Sequence, residues 1–430
     1  MKMKNFKLLV FLILASVVSF AGCKKNSVAK TYKLNVTATN GTVTKNPDMA
    51  VYKSGATVQL TATPNSGYTF TSWSGNVTSS DNPLLIKMEE NKNIPANFSA
   101  DDDTKELQAL IDQCPTGGTV SIPAGTYMID ALKHLNLKSN MILRMDSGTV
   151  LKAITNNMGN YEIIKIAGIH NVTVVGGTLL GERATHTGSG GEWGFGIGIF
   201  SARDVLIDGV TANDCWGDGF YIGGTGVQSV NVTLANVIAD NNRRQGLSIV
   251  WADSVIVRNS IFKNTRGTPP QAGIDIEPDA GMSVSNVKII NNEFSGNYHI
   301  GLSLYKPANV GSSITNVIIT GNNLHDNGAI AYFGAAIILD DVSGVLVSGN
   351  NVSNNIRGGI IVANGSQGNT IKDNVVINNG NSTDNNDAGI EMMNGAINNT
   401  VTGNIVTGNK NKQIIEDFIN GNFISGNTVE

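Results

Sequence analysis

The sequence predicts an all-β protein whose larger part is a parallel β-helix, a solenoid in which successive coils stack their strands into long parallel sheets. A small residue opens an apolar strand about every 25 residues, and apolar side chains follow it at the first and third positions. This marker glycine occurs at Gly196, Gly219, Gly246, Gly273, Gly301, Gly334, Gly359 and Gly389. A second strand pattern recurs in phase with it, beginning at Asn171, Asp204, Asn231, Asn286, Asn316, Asn369 and Asn399. Two strand signals per repeat, separated by Asn-rich turns, indicate a solenoid of strands rather than of helices.

The composition is that of a globular protein rich in turn-forming residues. The 430 residues are 41% hydrophobic and 15% charged, with 49 glycines and a formal net charge of −4. This length allows two or three domains. The slight acidity provides no basic stripe of the kind that nucleic-acid binding requires, so we expect no nucleic-acid partner. Cys114 and Cys215 are predicted to be buried thiols, with a disulfide between them as the alternative.

The N-terminus has the pattern of an export signal. Two lysines precede an apolar run over residues 8–20, which is short for a membrane span and typical of a signal peptide. Small residues then precede Cys23, and this arrangement resembles the lipobox of bacterial lipoproteins. The resemblance implies a signal peptide over residues 1–22 and lipidation of Cys23; secretion without a lipid is the alternative. We therefore expect an exported protein, either attached to the membrane of the cell envelope by its lipid or secreted.

Residues 30–100 are predicted to form a separate small β domain, because polar and apolar residues alternate there between Gly- and Asn-rich turns. The phrase Gly67-Tyr-Thr-Phe-Thr-Ser-Trp-Ser-Gly resembles the divergent InlB B-repeat family of bacterial surface proteins. That resemblance implies a spacer or adhesion module. Tyr68, Phe70 and Trp73 could form a platform for a sugar, but in a domain this small the core is the favoured location.

Residues 104–430 are predicted to form the β-helix. It begins with an amphipathic helix that has Thr104 as its N-cap and Leu107, Leu110 and Ile111 on one face, and this helix would cover the open end of the solenoid. From here to the C-terminus the sequence resembles the pectin-lyase-like right-handed β-helix superfamily, which includes pectate lyases, polygalacturonases, alginate epimerases and phage tailspikes. The resemblance implies a right-handed coil and a polysaccharide substrate, but this fold hosts several reactions.

The strand pattern predicts which side chains face outward. If the first and third residues after each marker point inward, the second and fourth point outward. The outward ladder is then Tyr221, Ser248, Asp275 and Ser303, with Glu277 and Tyr305 beside it. Later coils offer only Ile337, Ile361 and Glu391. Polar and aromatic residues also lie just before the markers, at Glu192, Trp193, Trp216, Asp218, Arg243, Arg244, Tyr298 and His299.

This concentration of chemistry on neighbouring coils predicts an active site. The predicted catalytic residues are Asp218, Arg243, Arg244, Asp275 and Glu277, although each one alone would be interpreted as a solvated turn residue. The predicted substrate-binding residues are Glu192, Trp193, Trp216, Tyr221, Trp251, Tyr298, His299 and Tyr305. Among these, two tryptophans at equal distances before their markers would stack and support a sugar ring, or would instead pack against the turn loop.

Two reactions fit these residues. For hydrolysis, Asp275 and Glu277 have Cα atoms about 6.6 Å apart, from which their carboxyl groups could reach the spacing of an inverting glycosidase; Asp218, two coils away at about 9.6 Å, is an alternative partner. For β-elimination, Arg243 or Arg244 would neutralise a uronate carboxylate.

The remaining parts of the two mechanisms are also open. In elimination, Tyr221 or His299 would act as base or acid. No cofactor is certain, but Asp275, Glu277 and Asp279, together with Asp218, could hold Ca²⁺.

Comparison with particular families narrows the reaction. Asp218-Gly-Phe and Asn242-Arg-Arg-Gln-Gly resemble motifs of alginate C5-epimerases. However, Phe195, Gly198 and Phe200 stand where that family has its Tyr, Asp and His, so epimerase chemistry is not expected. We predict an exported enzyme that degrades an acidic polysaccharide, with elimination preferred to hydrolysis because paired arginines suggest a uronate. The alternative is a surface solenoid that binds glycans without cleaving them.

Overall fold

The computed structural model describes residues 29–65, 67–308, 310–329, 334–380, 387–416 and 420–430. They form two compact units that divide between Ser99 and Ala100. The predicted signal peptide and the lipidation site at Cys23 lie outside the described residues. Within the described ranges, no helix combines the length and the apolar character needed to span a bilayer.

The first unit is a small β domain with a core of its own. Its longest strand alternates buried Val58, Leu60 and Ala62 with more exposed residues and pairs antiparallel with a strand on each side. Trp73 is fully buried and donates a hydrogen bond from Nε1 to the Asp81 carbonyl at 2.8 Å, and Phe70 packs against it. These two aromatic residues therefore belong to the core, as expected. In chain order, the strands are β1 Thr31–Tyr32, β2 Leu34–Asn35, β3 Gly41–Asn46, β4 Tyr52–Lys53, β5 Thr57–Pro64, β6 Tyr68–Trp73, β7 Leu84–Lys87, β8 Lys92–Asn93 and β9 Ala96–Ala100.

The second unit begins with helix α1, Thr104–Gln113. The predicted N-cap is wrong by one residue: Asp103 occupies that position, and Thr104 is the first helical residue, with its hydroxyl accepting a hydrogen bond from the Asp130 backbone. Leu110 is also misplaced, since it is 49% exposed while Leu107 and Ile111 are buried. The helix packs through a narrower stripe than predicted, because it rests on the edge of the first coil rather than in a groove.

Three parallel sheets build the β-helix. Sheet one contains β10 Thr119–Ile122, β13 Met141–Met145, β16 His170–Val175, β19 Arg203–Asp208, β22 Ser229–Ala235, β25 Ala252–Arg258, β28 Ser283–Ile290, β31 Ser313–Thr320, β34 Leu346–Ser348, β37 Thr370–Lys372, β40 Thr400–Thr402 and β43 Phe423–Ser425. Sheet two contains β11 Gly125–Ile129, β14 Thr149–Ala153, β17 Thr178–Leu180, β20 Thr211–Asn213, β23 Ile238–Asp240, β26 Ile261–Lys263, β29 Glu293–Ser295, β32 Asn323–His325, β35 Asn351–Ser353, β38 Val375–Ile377, β41 Ile405–Thr407 and β44 Thr428–Val429.

Sheet three carries the residues of interest. It contains β12 Leu135–Asn136, β15 Asn160–Ala167, β18 Trp193–Phe200, β21 Phe220–Gly223, β24 Gln245–Ile249, β27 Ala272–Ile276, β30 Ile300–Tyr305, β33 Ala335–Asp340, β36 Gly358–Ala363, β39 Ala388–Met392 and β42 Lys412–Glu416. Gln108 of α1 exchanges two hydrogen bonds with the backbone of Asn136, so the helix covers the edge strand β12 as predicted.

The interior is a stack of apolar side chains bordered by stacked asparagines. Ile222, Ile249, Ile276 and Leu304 follow one another inside sheet three and are fully buried. At one corner, buried Asn amides such as that of Asn350 donate to the side-chain oxygen of the next asparagine and to a backbone carbonyl. Because each coil thus binds the next through fixed donors and acceptors, the register along the solenoid is closely defined.

One marker glycine is out of register. Ile300 pairs with Ala335 and Leu302 with Ile337, so Ala336 rather than Gly334 stacks on Gly301. The predicted outward position of Ile337 is therefore wrong: this residue is in the core, and Ile338 faces outward. A longer connection precedes this strand, and alanine is small enough to replace glycine at the stacking position.

Candidate active site on sheet three

The predicted outward ladder is present. Tyr221 pairs with Ser248, Ser248 with Asp275 and Asp275 with Ser303 on successive strands of sheet three. The strands of a sheet lie about 4.8 Å apart, so these side chains are immediate neighbours. The ladder continues to Lys165 on one side and to Ile338 on the other.

Asp275 is a buried carboxylic acid at the centre of the ladder. It is only 3% exposed, and the Gln245 side chain donates a hydrogen bond to its Oδ2 at 3.0 Å. The Gln245 amide is itself fixed, since its Oε1 accepts from the Ala272 backbone. Burial, followed by the charge of Glu277, raises the pKa of Asp275 to about 8, although Arg244 and a hydrogen bond from Ser303 act in the opposite direction. The surroundings of Asp275 therefore favour its protonated form over the carboxylate.

Asp275 lines an open cleft of about 390 Å³. Four further side chains of the cleft carry polar groups: Glu277, Ser303, Tyr305 and Asp340. The rest of the lining consists of Pro269, Pro270, Ile300 and Ile338. Asp340 is half-buried, and burial is the main cause that raises its pKa. Sequence reasoning missed Asp340 because the marker was placed at Gly334; counted from Ala336, it occupies the outward position equivalent to Glu277 and Tyr305.

The predicted glycosidase spacing between Asp275 and Glu277 is not found. The two side chains interact directly, and the charge of Glu277 contributes to raising the pKa of Asp275. An inverting glycosidase keeps its two carboxyl groups about 6.5–9.5 Å apart to leave space for a water molecule. Adjacent outward positions on one short strand let the two side chains converge rather than diverge. Glu277 thus modulates Asp275 and is not its partner across a substrate.

Asp218, Glu192, Arg244 and Ser248 form a group that we call the wall, and Asp218 is its buried carboxylate. It is fully buried and accepts a hydrogen bond from Ser248 Oγ at 2.8 Å, while Arg244 Nη1 lies 3.4 Å from the same carboxylate oxygen. Arg244 also faces Glu192, with 3.3 Å between Nε and Oε2. Burial raises the pKa of Asp218 to about 6 in spite of Arg244 and Ser248. The structure therefore brings Asp218, Arg244 and Glu192 together one to two coils from Asp275.

One buried oxygen of this group, Asp218 Oδ1, has no hydrogen-bond partner among the described residues, and Arg244 Nε has only its ion pair with Glu192. Native proteins rarely leave buried polar atoms unpaired, and such atoms require a specific explanation. Buried ionisable groups with a raised pKa and a charged neighbour, such as Asp218 beside Arg244, concentrate at functional sites.

Arg243 is not part of the carboxylate group. Its guanidinium lies over the Trp216 ring, 3.9 Å from the ring centroid, and Nη1 donates to the Gly191 carbonyl at 2.9 Å. The Trp216 ring also stacks on His186 with 3.8 Å between centroids. The predicted Trp193–Trp216 platform is therefore not formed; Trp216 packs against the turn loop, which was the alternative interpretation. Adjacent residues of an extended segment point to opposite sides, so Arg243 and Arg244 diverge.

Trp193 lines a separate aromatic pocket of about 320 Å³ at the start of the ladder. Phe195, Phe200 and Tyr221 form its walls, and Lys165 is at its rim. Trp193 is 50% exposed, and the Tyr221 ring stacks on Phe195 with 4.7 Å between centroids. Burial, with the charges of Asp279 and Asp218, raises the pKa of Tyr221 to about 12. Tyr221 is thus suited to packing against a sugar and not to acting as a base at neutral pH.

The other predicted substrate-binding residues are dispersed. Trp251 packs on Gly224 beyond the end of β24, away from the Trp193 side of the sheet. Tyr298 is exposed, and His299 is bound through Nδ1 to the Pro270 carbonyl at 2.9 Å, with its pKa lowered by burial. Tyr305 is in the cleft.

The calcium prediction receives no support from the geometry. Asp279 is exposed. In the part of the chain that is described, no three His, Cys, Asp or Glu side chains converge as metal ligands would. Calcium binding by Asp275, Glu277 and Asp279 stays a prediction.

A second buried polar cluster was not predicted. Glu182 Oε1 accepts hydrogen bonds from the Tyr161 hydroxyl and, at 2.7 Å, from His186 Nδ1. The side chains of Glu182 and His186 are fully buried, and Glu182 Oε2 and His186 Nε2 have no partner among the described residues. The loop between β17 and β18 supplies both residues. It interrupts the repeat, so no periodic signal could have located them.

Comparison with known proteins agrees with this architecture. Residues 32–102 match the divergent InlB B-repeat domain, and residues 136–289 and 280–429 match the right-handed β-helix region. The uncharacterised protein YclG of Bacillus subtilis is 30% identical over 265 residues, which cover 54% of this chain and 44% of YclG. The chain thus spans less than half the length of that curated relative.

Solved structures share the fold at low identity. The A-module of the mannuronan C-5 epimerase AlgE4 from Azotobacter vinelandii has a TM-score of 0.62 at 21% identity, covering 76% of this chain and 93% of the module. The surface adhesin PfbA of Streptococcus pneumoniae has a TM-score of 0.53 at 19% identity, covering 76% of this chain and 90% of PfbA. A phage tailspike and an exopolygalacturonase share the fold as well. Enzymes and an adhesin are both represented, so the fold alone does not decide between catalysis and binding.

Proposed function

The chain belongs to the right-handed β-helix family, and we propose that it is a carbohydrate-active enzyme that cleaves glycosidic bonds in a polysaccharide bound along the outward face of sheet three. The observation that carries this proposal is Asp275, a carboxylic acid that lines an open cleft although it is only 3% exposed, so that burial raises its pKa. Burying such a group costs stability, and proteins tolerate that cost mainly at functional sites.

In this proposal Asp275 is the general acid. As the bond between the anomeric carbon and the glycosidic oxygen breaks, the proton of Asp275 passes to that oxygen, which leaves as a sugar hydroxyl. Gln245 and Ser303 hold the carboxyl group in place, and Glu277 keeps it protonated through its charge. General acid catalysis of this kind contributes about 10²- to 10⁴-fold to the rate.

Asp340 is the proposed base, which makes the reaction a hydrolysis. It lines the same cleft as Asp275, two coils away and two residues farther along its strand, so the Cα atoms of Asp275 and Asp340 are about 12 Å apart. Side chains that both enter the cleft can bring their carboxyl groups closer, toward the spacing of about 6.5–9.5 Å in inverting glycosidases. A water molecule in the cleft would lose a proton to Asp340 while its oxygen attacks the anomeric carbon. The base must be ionised, and the Asn364 side chain, which donates to Asp340 Oδ1 at 3.4 Å, favours that form.

β-Elimination on a uronate-containing glycan is the second candidate. Arg244 favours it, because a guanidinium group can bind a sugar carboxylate through two hydrogen bonds. Two observations rank it below hydrolysis. Arg244 already faces Asp218 and Glu192, and Tyr221, with a pKa raised to about 12, is a poor base.

The test is fragment release from a panel of alginate, pectate, glycosaminoglycans and neutral glycans. We expect new reducing ends without ultraviolet absorbance; absorbance from an unsaturated product would replace hydrolysis by elimination. Asp275→Asn should abolish release, whereas Glu391→Gln, which changes a carboxylate farther along the same ladder, should retain it. If the wild-type protein binds glycans of the panel but releases no fragments, it is a binding protein and the proposal is wrong.

We also propose that the protein is exported and anchored by a lipid at Cys23, on the strength of the sequence around that residue. The β module of residues 30–100 would then follow the lipidated residue in the chain and precede the solenoid. Metabolic labelling with a fatty acid tests this proposal: the wild-type protein should be labelled and Cys23→Ser should not. An unlabelled wild-type protein in the culture medium would contradict it.

A further inference from the structure

Three arginines meet at the corner where sheet two turns into sheet three. The Arg183 backbone is hydrogen-bonded to the coil of Asp214, the Arg243 backbone to the coil of Cys215, and the Arg266 backbone to that of Asn242. The three residues thus occupy neighbouring levels of the same corner. The corner borders the wall that contains Arg244 and Asp218.

The side chain of Arg183 reaches across a coil to join the other two. Its Nη1 donates to the backbone carbonyl of Asn241 at 2.6 Å and to the side-chain oxygen at 3.0 Å. This places Arg183 Nη2 3.5 Å from where a Cβ of Gly267 would be, and Arg243 Cγ lies 2.9 Å from the same point. Arg266 is the residue before Gly267 and is exposed. The three cations therefore surround one short turn.

Few anions of the protein face this cluster. Asp214 attracts Arg183, but its Oδ1 accepts a hydrogen bond from Asn241 at 2.5 Å. Glu192 attracts Arg243 but lies 3.3 Å from Arg244. Burial lowers the pKa of Arg183, and the positive charges of Arg266 and Arg243 lower it further. Arg183 is thus repelled by two neighbouring guanidinium groups, in a protein whose net charge is −4.

We propose that Arg183, Arg243 and Arg266 form a binding site for an anionic substituent of the glycan, a carboxylate or a sulfate ester. Guanidinium groups bind such oxyanions through pairs of hydrogen bonds, and an anion would relieve the repulsion among the three cations. Trp216, beneath the Arg243 guanidinium, fixes the direction of that side chain. Anion binding stands on the cluster itself; only the assignment of the anion to a glycan rests on the proposed function.

The proposed anion site lies outside the cleft in which the glycosidic bond would be cleaved. The residues that line the cleft include three carboxylic acids and no Lys or Arg. The sequence suggested that paired arginines would bind a uronate beside the catalytic carboxylates. In the structure Arg243 instead joins the corner cluster, so the anionic group is bound at that corner and the glycosidic bond is presented to the cleft.

The experiment is calorimetric titration of the full-length protein with sulfate and with glucuronate, at constant ionic strength, with chloride and glucose as references. We expect one oxyanion or both to bind, and chloride and glucose not to bind. Arg266→Gln, a change at an exposed position, should weaken binding about tenfold, since a hydrogen bond to a charged group contributes about 1.5–3 kcal/mol. Arg183→Lys should weaken it less than Arg183→Gln because it keeps the charge.

Lys263→Gln is the matched control, because it removes one positive charge from the neighbouring strand β26 without touching the cluster. It should leave the affinity within about twofold. Equal losses in Lys263→Gln and Arg266→Gln would indicate general charge screening and overturn the proposal, as would the absence of binding by both oxyanions. If the protein binds an oxyanion but releases no fragments from the glycan panel, the proposed function is wrong and the anion site is still supported.

Discussion

The coils before residue 313 and those after it have the same backbone architecture but differ in how completely their buried polar groups are hydrogen-bonded. Among the described residues, every buried side-chain polar atom without a hydrogen-bond partner lies in the earlier part, including Glu182, His186, Asp218 and Arg244. In the later coils the asparagine ladder is satisfied, and the outward face of sheet three is an apolar cluster around Ile338 and Ile361. Except at Asp340, which lines the cleft, the later coils hold their polar groups in hydrogen bonds that stabilise the stack, whereas the earlier coils contain the buried polar atoms without partners among the described residues.

The largest effect that we expect from a single substitution is on the rate of catalysis. Asp340→Asn should reduce the turnover rate by about 10²- to 10⁴-fold, because it removes the proposed base while leaving the acid in place. Asp341→Asn is the matched control: Asp341 is the next residue, it pairs with Lys306 at 2.5 Å, and it does not line the cleft. Initial rates of fragment release measure both variants. Equal rates for them would remove Asp340 from the mechanism.

The next effect is on stability and belongs to the later coils. Asn374 is fully buried; its Oδ1 accepts from the backbone and the side chain of Asn350, and its Nδ2 donates to Val347 and Asn404. Asn374→Ala should therefore lower the free energy of unfolding by about 2–4 kcal/mol, since it leaves several buried groups unpaired. Asn323→Ala, at the half-buried first residue of β32, should cost less than about 1 kcal/mol. Denaturant titration distinguishes the two, and similar losses would contradict the assigned role of the ladder.

The stability of the protein should depend on pH through the buried Asp275 of the earlier coils. The folded-state pKa of Asp275 is raised to about 8, so the folded protein binds more protons than the unfolded chain between the unfolded pKa of 3.8 and about pH 8. The stability that protonation provides is complete below the unfolded pKa and is lost as pH rises through the folded pKa. The melting temperature should thus fall between about pH 5 and pH 8, and less steeply in Asp275→Asn. A parallel decline in both proteins would show that Asp275 is ionised throughout.

The smallest effect concerns the aromatic pocket. Trp193→Ala should raise KM about 2- to 10-fold for long oligosaccharides and leave kcat unchanged, because a sugar–aromatic contact is worth about 0.5–1.5 kcal/mol. Its melting temperature should barely change, since the side chain is half exposed. Leu85→Ala, which removes an exposed apolar side chain from the N-terminal β module, is the control. An unchanged KM would place the glycan elsewhere on the sheet.

Much of the fold could be predicted because the sequence repeats with the period of the coils. Asn231, Asn286 and Asn316 each adopt a left-handed turn conformation that asparagine tolerates, so they mark every coil at the same point. The alternation after each marker then gave the correct outward ladder from Tyr221 to Ser303. The prediction failed where the repeat does: the connection before β33 moved the marker by two residues and concealed Asp340.

The chemistry of the site was less predictable than its location. Whether neighbouring side chains converge or diverge depends on rotamers and burial, which a repeat pattern does not specify. For this reason the pattern predicts that Asp275 and Glu277 stand apart and that Arg243 joins Arg244, whereas the first two side chains interact directly and the two arginines separate. The Glu182–His186 cluster could not be predicted, because its loop has no counterpart in other coils.

The protonation state of Asp275 tests the central claim most directly. Infrared difference spectroscopy between the wild-type protein and Asp275→Asn isolates the carbonyl stretch of this one carboxyl group as the pH is changed. We expect the band of a protonated acid at pH 7 and its replacement by carboxylate bands near pH 8. Carboxylate bands already present at pH 6 would contradict the account, since Asp275 would then have no proton to give.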